Sequence, residues 1–156
     1  MNYKLFIAGA LLLSLFSCKD DQEITPLDEL QGEWKFKMEK VGNNYELDFV
    51  DRLVFKPDGR VYGEGITTNT KTDKLLGYRY YFNGKYELVE DKVIIKEREI
   101  FNNSFTDSFF LTKDDLIYQE EDYGLVSYLI KENYSELHII CPPNANCANI
   151  IYTKSN

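Results

Sequence analysis

The sequence predicts an all-β domain, an antiparallel up-and-down barrel of eight to ten strands preceded by a short N-terminal helical turn. Three observations carry that expectation. Aromatic residues are abundant, with 12 Tyr and 10 Phe among 156 residues, while Pro numbers only 4. That balance favours strands over disorder or a helical bundle. Apolar and polar residues alternate with a period of two in stretch after stretch, the pattern of a half-buried strand. Turn signals separate the stretches at roughly ten-residue spacing, and no long helical pattern competes with them. The length suits one domain with its own core.

The chain begins with an address. Residues 1–17 carry one positive charge, Lys4, then the apolar run Leu5 to Phe16, closed by the small residue Ser17. The run is too short to span a bilayer comfortably and reads as a signal peptide. Leu15-Phe16-Ser17-Cys18 resembles the lipobox of bacterial lipoproteins, in which the cysteine is acylated and becomes the first mature residue. Lys19-Asp20-Asp21 resembles the export signal of surface lipoproteins of the Bacteroidota type. These resemblances imply a signal peptide over 1–17, a palmitate-type anchor on Cys18 and a polar tether over 18–26. A folded domain over 27–156 would then be held at the bacterial outer membrane, on the cell surface or on the periplasmic face. Each buried methylene of an acyl chain contributes about 0.8 kcal/mol to such attachment. The plainer alternative is cleavage near Ser17 that leaves Cys18 an ordinary thiol.

Thr25-Pro26-Leu27-Asp28 has the chemistry of a helix start. It offers a hydroxyl for the N-cap, a proline at the first helical position and a carboxylate at the positive end of the dipole. Gly32 limits this helix to a turn or two. Trp34, the one tryptophan, then opens a strand in which Trp34, Phe36 and Met38 face one way and Lys35, Lys37 and Glu39 the other. Gly42-Asn43-Asn44 turns the chain. Over 45–55 the odd positions are apolar except Asp51, which is either a buried polar group or the point where the run breaks into two strands; the break is preferred because an unpaired buried carboxylate is costly. Pro57-Asp58-Gly59 marks the next turn. The strand at 60–68 carries Gly63 and Gly65 on one face, which suits a tightly curved sheet. Beyond the polar loop 69–74, Leu76, Tyr78, Tyr80 and Phe82 share one face. Asn83-Gly84 reads as a hairpin turn, with Tyr86 and Leu88 on its far side. Further short strands are expected at 93–96, 104–111, 116–119, 125–130, 137–141 and 148–152.

Gly32-Glu33-Trp34 places a Gly-x-Trp at the opening of the first strand. Leu53-Val54-Phe55 is followed by Pro57-Asp58-Gly59, and the chain closes with Ile150-Ile151-Tyr152-Thr153-Lys154. This combination resembles the lipocalin-like proteins, bacterial lipoproteins among them. The resemblance implies a barrel over 27–154, a basic residue of the last strand (here Lys154) packed across the tryptophan, and room for one small ligand. The META-like domain of bacterial envelope proteins also opens with Leu-x-Gly-x-Trp, here Leu30 to Trp34, but its usual central Gly-Cys-Asn segment is absent.

The formal charge of −8, with no Lys/Arg cluster, argues against nucleic acid as a partner. One histidine and three cysteines leave little for a metal site or a nucleophilic triad. Gly-x-Ser-x-Gly, His-Glu-x-x-His and phosphate-cradling glycine loops are missing. No catalytic residue, metal ligand or cofactor is assigned, and the chain reads as non-enzymatic. His138 reads as a surface or satisfied core imidazole. Asp114-Asp115 and Glu120-Glu121-Asp122 lack the spaced ligands of a calcium loop and read as solvated turns. Cys141 and Cys147 flank Pro142-Pro143-Asn144-Ala145-Asn146. In an oxidising compartment they are expected to form a structural disulfide bracing the closing hairpin, the alternative being a metal or redox pair.

The aromatic stripe Trp34, Phe36, Tyr78, Tyr80, Phe82 and Tyr86 is the remaining candidate site. An eight-stranded barrel either fills its interior or holds one small ligand, so the stripe is either core or cavity wall. The leading functional expectation is a membrane-anchored barrel that binds a small hydrophobic or amphipathic molecule. Its alternative is a packed-core envelope interaction or assembly module with no small-molecule ligand.

Overall fold

A computed structural model describes residues 26–103, 109–120, 124–143 and 145–155. The leader 1–17, Cys18, Thr25 and all of the tether except Pro26 lie outside them, as do residues 104–108 of the strand expected at 104–111. One short helix, α1 (Pro26–Leu30), leads into β1 (Gly32–Val41), β2 (Leu47–Phe55), β3 (Arg60–Asn69), β4 (Leu75–Val89) and β5 (Lys92–Asn102). A single helical turn at Lys113–Asp115 precedes β6 (Ile117–Gln119), β7 (Val126–Lys131), β8 (Glu136–Ile139) and β9 (Ile151–Lys154). Neighbours pair antiparallel in chain order, and β9 returns to β1. With β4 also paired to β5, eight strands close a barrel and β6 stands outside it. The expected up-and-down barrel with its N-terminal helical turn is thus the fold.

The barrel wall is uneven. Residues 92–95 of β5 pair with β7, whereas residues 100–102 pair with the extra strand β6. β1 to β5 therefore rise well beyond the short β7, β8 and β9. One end is enclosed and the other forms a mouth.

The enclosed end is packed. Leu30 and Trp34 are fully buried, and the indole N–H donates to the Leu30 carbonyl at 2.9 Å, so α1 is pinned across the opening. Lys154 Nζ lies 5.6 Å from the indole centre and donates to the Glu29 carbonyl, the contact implied for a basic residue of the last strand. Leu53, Phe55, Phe82, Tyr86, Ile95 and Leu137 fill the space behind, none more than 7% exposed. Burying each such side chain contributes roughly 1.5–3 kcal/mol. Gly63 provides a notch for one of them: a Cβ there would lie 2.1 Å from the Phe82 ring.

The structure corrects several expectations: the strand expected at 93–96 runs from Lys92 to Asn102, and of the strand expected at 104–111 the described residues make only a bridge at Leu111. β2 does not break at Asp51; it is continuous because the carboxylate has a partner, Arg79 of β4. Asn83-Gly84 is not a hairpin turn, since β4 runs through it. Asn83 pairs with Glu99 and Lys85 with Lys96, so Glu97 and Arg98 both stand opposite Gly84 in a bulge of β5. A Cβ on Gly84 would lie 3.2 Å from the Lys96 carbonyl oxygen, so the glycine serves close approach and not chain reversal. The reversal falls at Glu90-Asp91, with Glu90 at φ 56°. Finally, Tyr78 does not share the inward face of Tyr80. Gly65 pairs with Tyr80 and Ile66 with Tyr78, which makes Arg79 an extra residue and reverses the alternation across it.

Candidate functional site

The bulge at Arg79 builds the site. Tyr80 turns inward, its ring covering Gly65 so closely that a Cβ there would lie 2.3 Å away. The extra residue Arg79 turns inward as well. Its guanidinium donates to Asp51 and sits 4.4 Å from the centre of the Phe49 ring and 5.6 Å from that of Tyr80. The Arg79 and Asp51 side chains are 16% and 17% exposed, so the ion pair is largely withdrawn from water yet borders open space. That space is a pocket of about 370 Å³ at the mouth. Phe49, Ile100 and Phe109 give it apolar walls, and Arg79, Tyr80, Asn102 and Asn103 supply polar groups. Apolar walls with a few placed polar groups are the composition of a small-molecule site.

Behind the pocket lies a tyrosine cluster. Tyr128 and Tyr152 are buried and stand edge-on with ring centres 5.6 Å apart. Burial pushes the Tyr128 hydroxyl up to about 12 and holds those of Tyr80 and Tyr152 well above the ordinary tyrosine value, with the Asp51 charge adding to each. All three therefore stay protonated around neutral pH and offer neutral hydrogen bonds.

Residues 109–113 cross beside the mouth as a strap. The Phe109 ring lies 5.1 Å from that of Phe49. Gly77 is needed beneath the strap, because a Cβ there would meet the Phe110 backbone at 2.4 Å. The Tyr78 N–H donates to the Leu111 carbonyl at 2.8 Å. Lys113 then anchors the strap on the outer face of β3 and β4. Its Nζ donates to the Tyr62 hydroxyl at 2.8 Å, lies 3.0 Å from Glu64, and has the Tyr78 ring centre at 4.7 Å. Burial works against the Lys113 charge, but the bonds to Tyr62 and Glu64 outweigh it and raise its pKa. Glu64 is also held by Arg52 at 3.0 Å, so the clamp is a network.

The structure disperses the six aromatic candidates. Tyr80 lines the pocket. Trp34, Phe82 and Tyr86 belong to the packed core, and Phe36 is half-buried with its ring 6.0 Å from that of Tyr152. Tyr78 serves the outer clamp. Sequence reasoning missed Phe49, Arg79, Ile100, Asn102, Asn103 and Phe109 as lining residues. The one available signal was Asp51: an acid on an apolar face calls for a buried cation across from it.

Cys141 and Cys147 are joined in a disulfide across the β8–β9 loop. His138 Nε2 lies 2.7 Å from Glu136 on the outer face. Among the described residues, no group of three or more His, Cys, Asp and Glu is placed to hold a metal ion. An open groove of about 410 Å³ lies at the enclosed end between the β4–β5 and β7–β8 turns, apart from the Asp51–Arg79 pair.

Neither the curated proteins nor the solved structures returned a match to this chain. The family model described as a lipocalin-like domain matches residues 30–139, most of the barrel and more than half of the chain. On that match, and with a closed eight-stranded meander behind a helical plug, the chain belongs to the lipocalin-like domain family.

Proposed function

We propose that this chain is a binding protein, not an enzyme, tethered to the bacterial outer membrane through acylated Cys18 and carrying one small amphipathic molecule at the mouth of its barrel. The observation that carries this reading is the pocket of about 370 Å³ beside the Asp51–Arg79 pair. Its apolar walls suit a hydrocarbon body, and its polar groups cluster where a head would be fixed. The filled enclosed half confines the guest to the mouth, so its chain is short or partly exposed. The anchor rests on the resemblance of the Cys18 segment to a lipobox; incorporation of labelled palmitate into the wild type but not into Cys18→Ala tests it.

Native mass spectrometry of the purified chain, together with displacement of a fluorescent apolar probe by alkyl compounds, tests the binding role. A retained or competing guest in unit stoichiometry is expected. Absence of both overturns the reading and favours a packed-core envelope module. That rival has its own observation: β6 stands outside the barrel and leaves Ile117 and Tyr118 53% and 51% exposed. Partner capture that depends on these two residues would support it.

A further inference from the structure

We propose that the mouth pocket selects a neutral, oxygen-bearing head group, an ester or an amide, over a free carboxylate, and that the Asp51–Arg79 pair sets this choice. The inference rests on the reading that the pocket holds an amphipathic molecule. Arg79 lines the pocket, and an unpaired guanidinium there would favour an anion. Asp51 already matches its charge, however, so the site carries no net charge to offset the desolvation of an entering carboxylate. A carboxylate drawn to Arg79 would also face the Asp51 charge at close range. Repulsion of the wrong head is as much a source of selectivity as attraction of the right one.

The guanidinium nevertheless has something left to give. Its Nη2 is committed to Asp51 and its Nε is sealed from solvent, which leaves Nη1, without a hydrogen-bond partner among the described residues, as the donor a guest can reach. A carbonyl oxygen supplies an acceptor for it without bringing charge. Asn102 and Asn103 add neutral polar side chains to the same lining. A cationic head is disfavoured as well, because the matched Asp51–Arg79 pair offers no net charge to offset its desolvation.

The test is displacement of N-phenyl-naphthylamine, a neutral fluorescent probe, near neutral pH by four compounds sharing one alkyl chain. These are decanamide, monodecanoylglycerol, decanoate and decyltrimethylammonium. The two neutral compounds are expected to compete at concentrations about tenfold below either ion, a difference of about 1.4 kcal/mol. In Asp51→Asn, which keeps the shape but leaves Arg79 unmatched, decanoate is expected to become the strongest competitor. If decanoate competes as well as decanamide against the wild type, the head-group inference is overturned while the binding role stands. If the probe binds but no compound displaces it, the inference is likewise overturned. If neither probe nor compound binds, the binding role fails and takes the inference with it. The wild-type series decides the matter even should Asp51→Asn fail to fold, which circular dichroism would reveal.

Discussion

Gly63 and Gly65 stand two residues apart on the inner face of β3, each beneath a ring of β4, yet alanine at the two positions should act differently. A Cβ at Gly63 would lie 2.1 Å from Phe82 Cε1, and one at Gly65 would lie 2.3 Å from Tyr80 Cε1. Carbon atoms in contact sit about 3.5–4.0 Å apart, so either ring must retreat by roughly 1.5 Å. Phe82 is 7% exposed and bounded by core, with nowhere to go. Gly63→Ala is therefore overpacking, near the upper end of the range of about 1–3 kcal/mol. Tyr80 borders the pocket and can retreat into it. Gly65→Ala should cost only about 1 kcal/mol but fill space that a guest would occupy. Urea unfolding reads the stabilities, and probe displacement reads the pocket. The expected pattern is a large stability loss with retained binding for Gly63→Ala, and a small loss with binding weakened about tenfold or more for Gly65→Ala. Equal stability losses, or wild-type binding by Gly65→Ala, would refute the reasoning.

Other perturbations probe the frame around the site. Trp34→Phe removes the indole donor and leaves the Leu30 carbonyl buried without it, which should cost about 1–3 kcal/mol in thermal unfolding and speed amide exchange in α1; unchanged exchange would show that the helix is held otherwise. The Cys141–Cys147 link closes a loop with a sequence separation of only 6. Reducing it should therefore lower stability by about 2 kcal/mol in urea unfolding, and an unchanged midpoint would deny it that role. Asp48 is held down to about 2 from its ordinary 3.8 by Lys37 and then by the Lys40 N–H. Because the folded value is the lower one, its contribution is complete above about pH 4 and is lost as pH falls through 2. Melting temperature should drop over that window in the wild type and less steeply in Asp48→Asn; parallel curves would contradict the assignment.

Particular residues show what the sequence could and could not reveal. Alternation around Trp34, Leu53 and Phe55 puts these side chains on the inward face, where the structure buries them, because a half-buried strand repeats every two residues and nothing interrupts it there. The mouth was illegible because it depends on bulges. One extra residue at Arg79 reverses the faces of β4, sending Tyr78 outward and the guanidinium inward. A period-two reading cannot register that shift. The same applies to Asn83-Gly84, where local turn chemistry was overridden by pairing with Glu99 and Lys96. β5 was expected to stop at Lys96, so Ile100 and Asn102 never entered the candidate site. Asp51 was the missed clue. A lone acid there is costly, but the remedy is a partner 28 residues away and not a break in the strand.

The central claim is that a small amphipathic molecule sits at the mouth, between the Asp51–Arg79 pair and Phe109, and not in the packed half. Chemical-shift mapping of the labelled protein during titration with decanamide tests it most directly. Saturable shifts are expected at Phe49, Arg79, Tyr80, Ile100 and Asn102, with Trp34, Val93 and Leu137 unmoved. Shifts centred on those enclosed-end residues, or none that saturate, would contradict it.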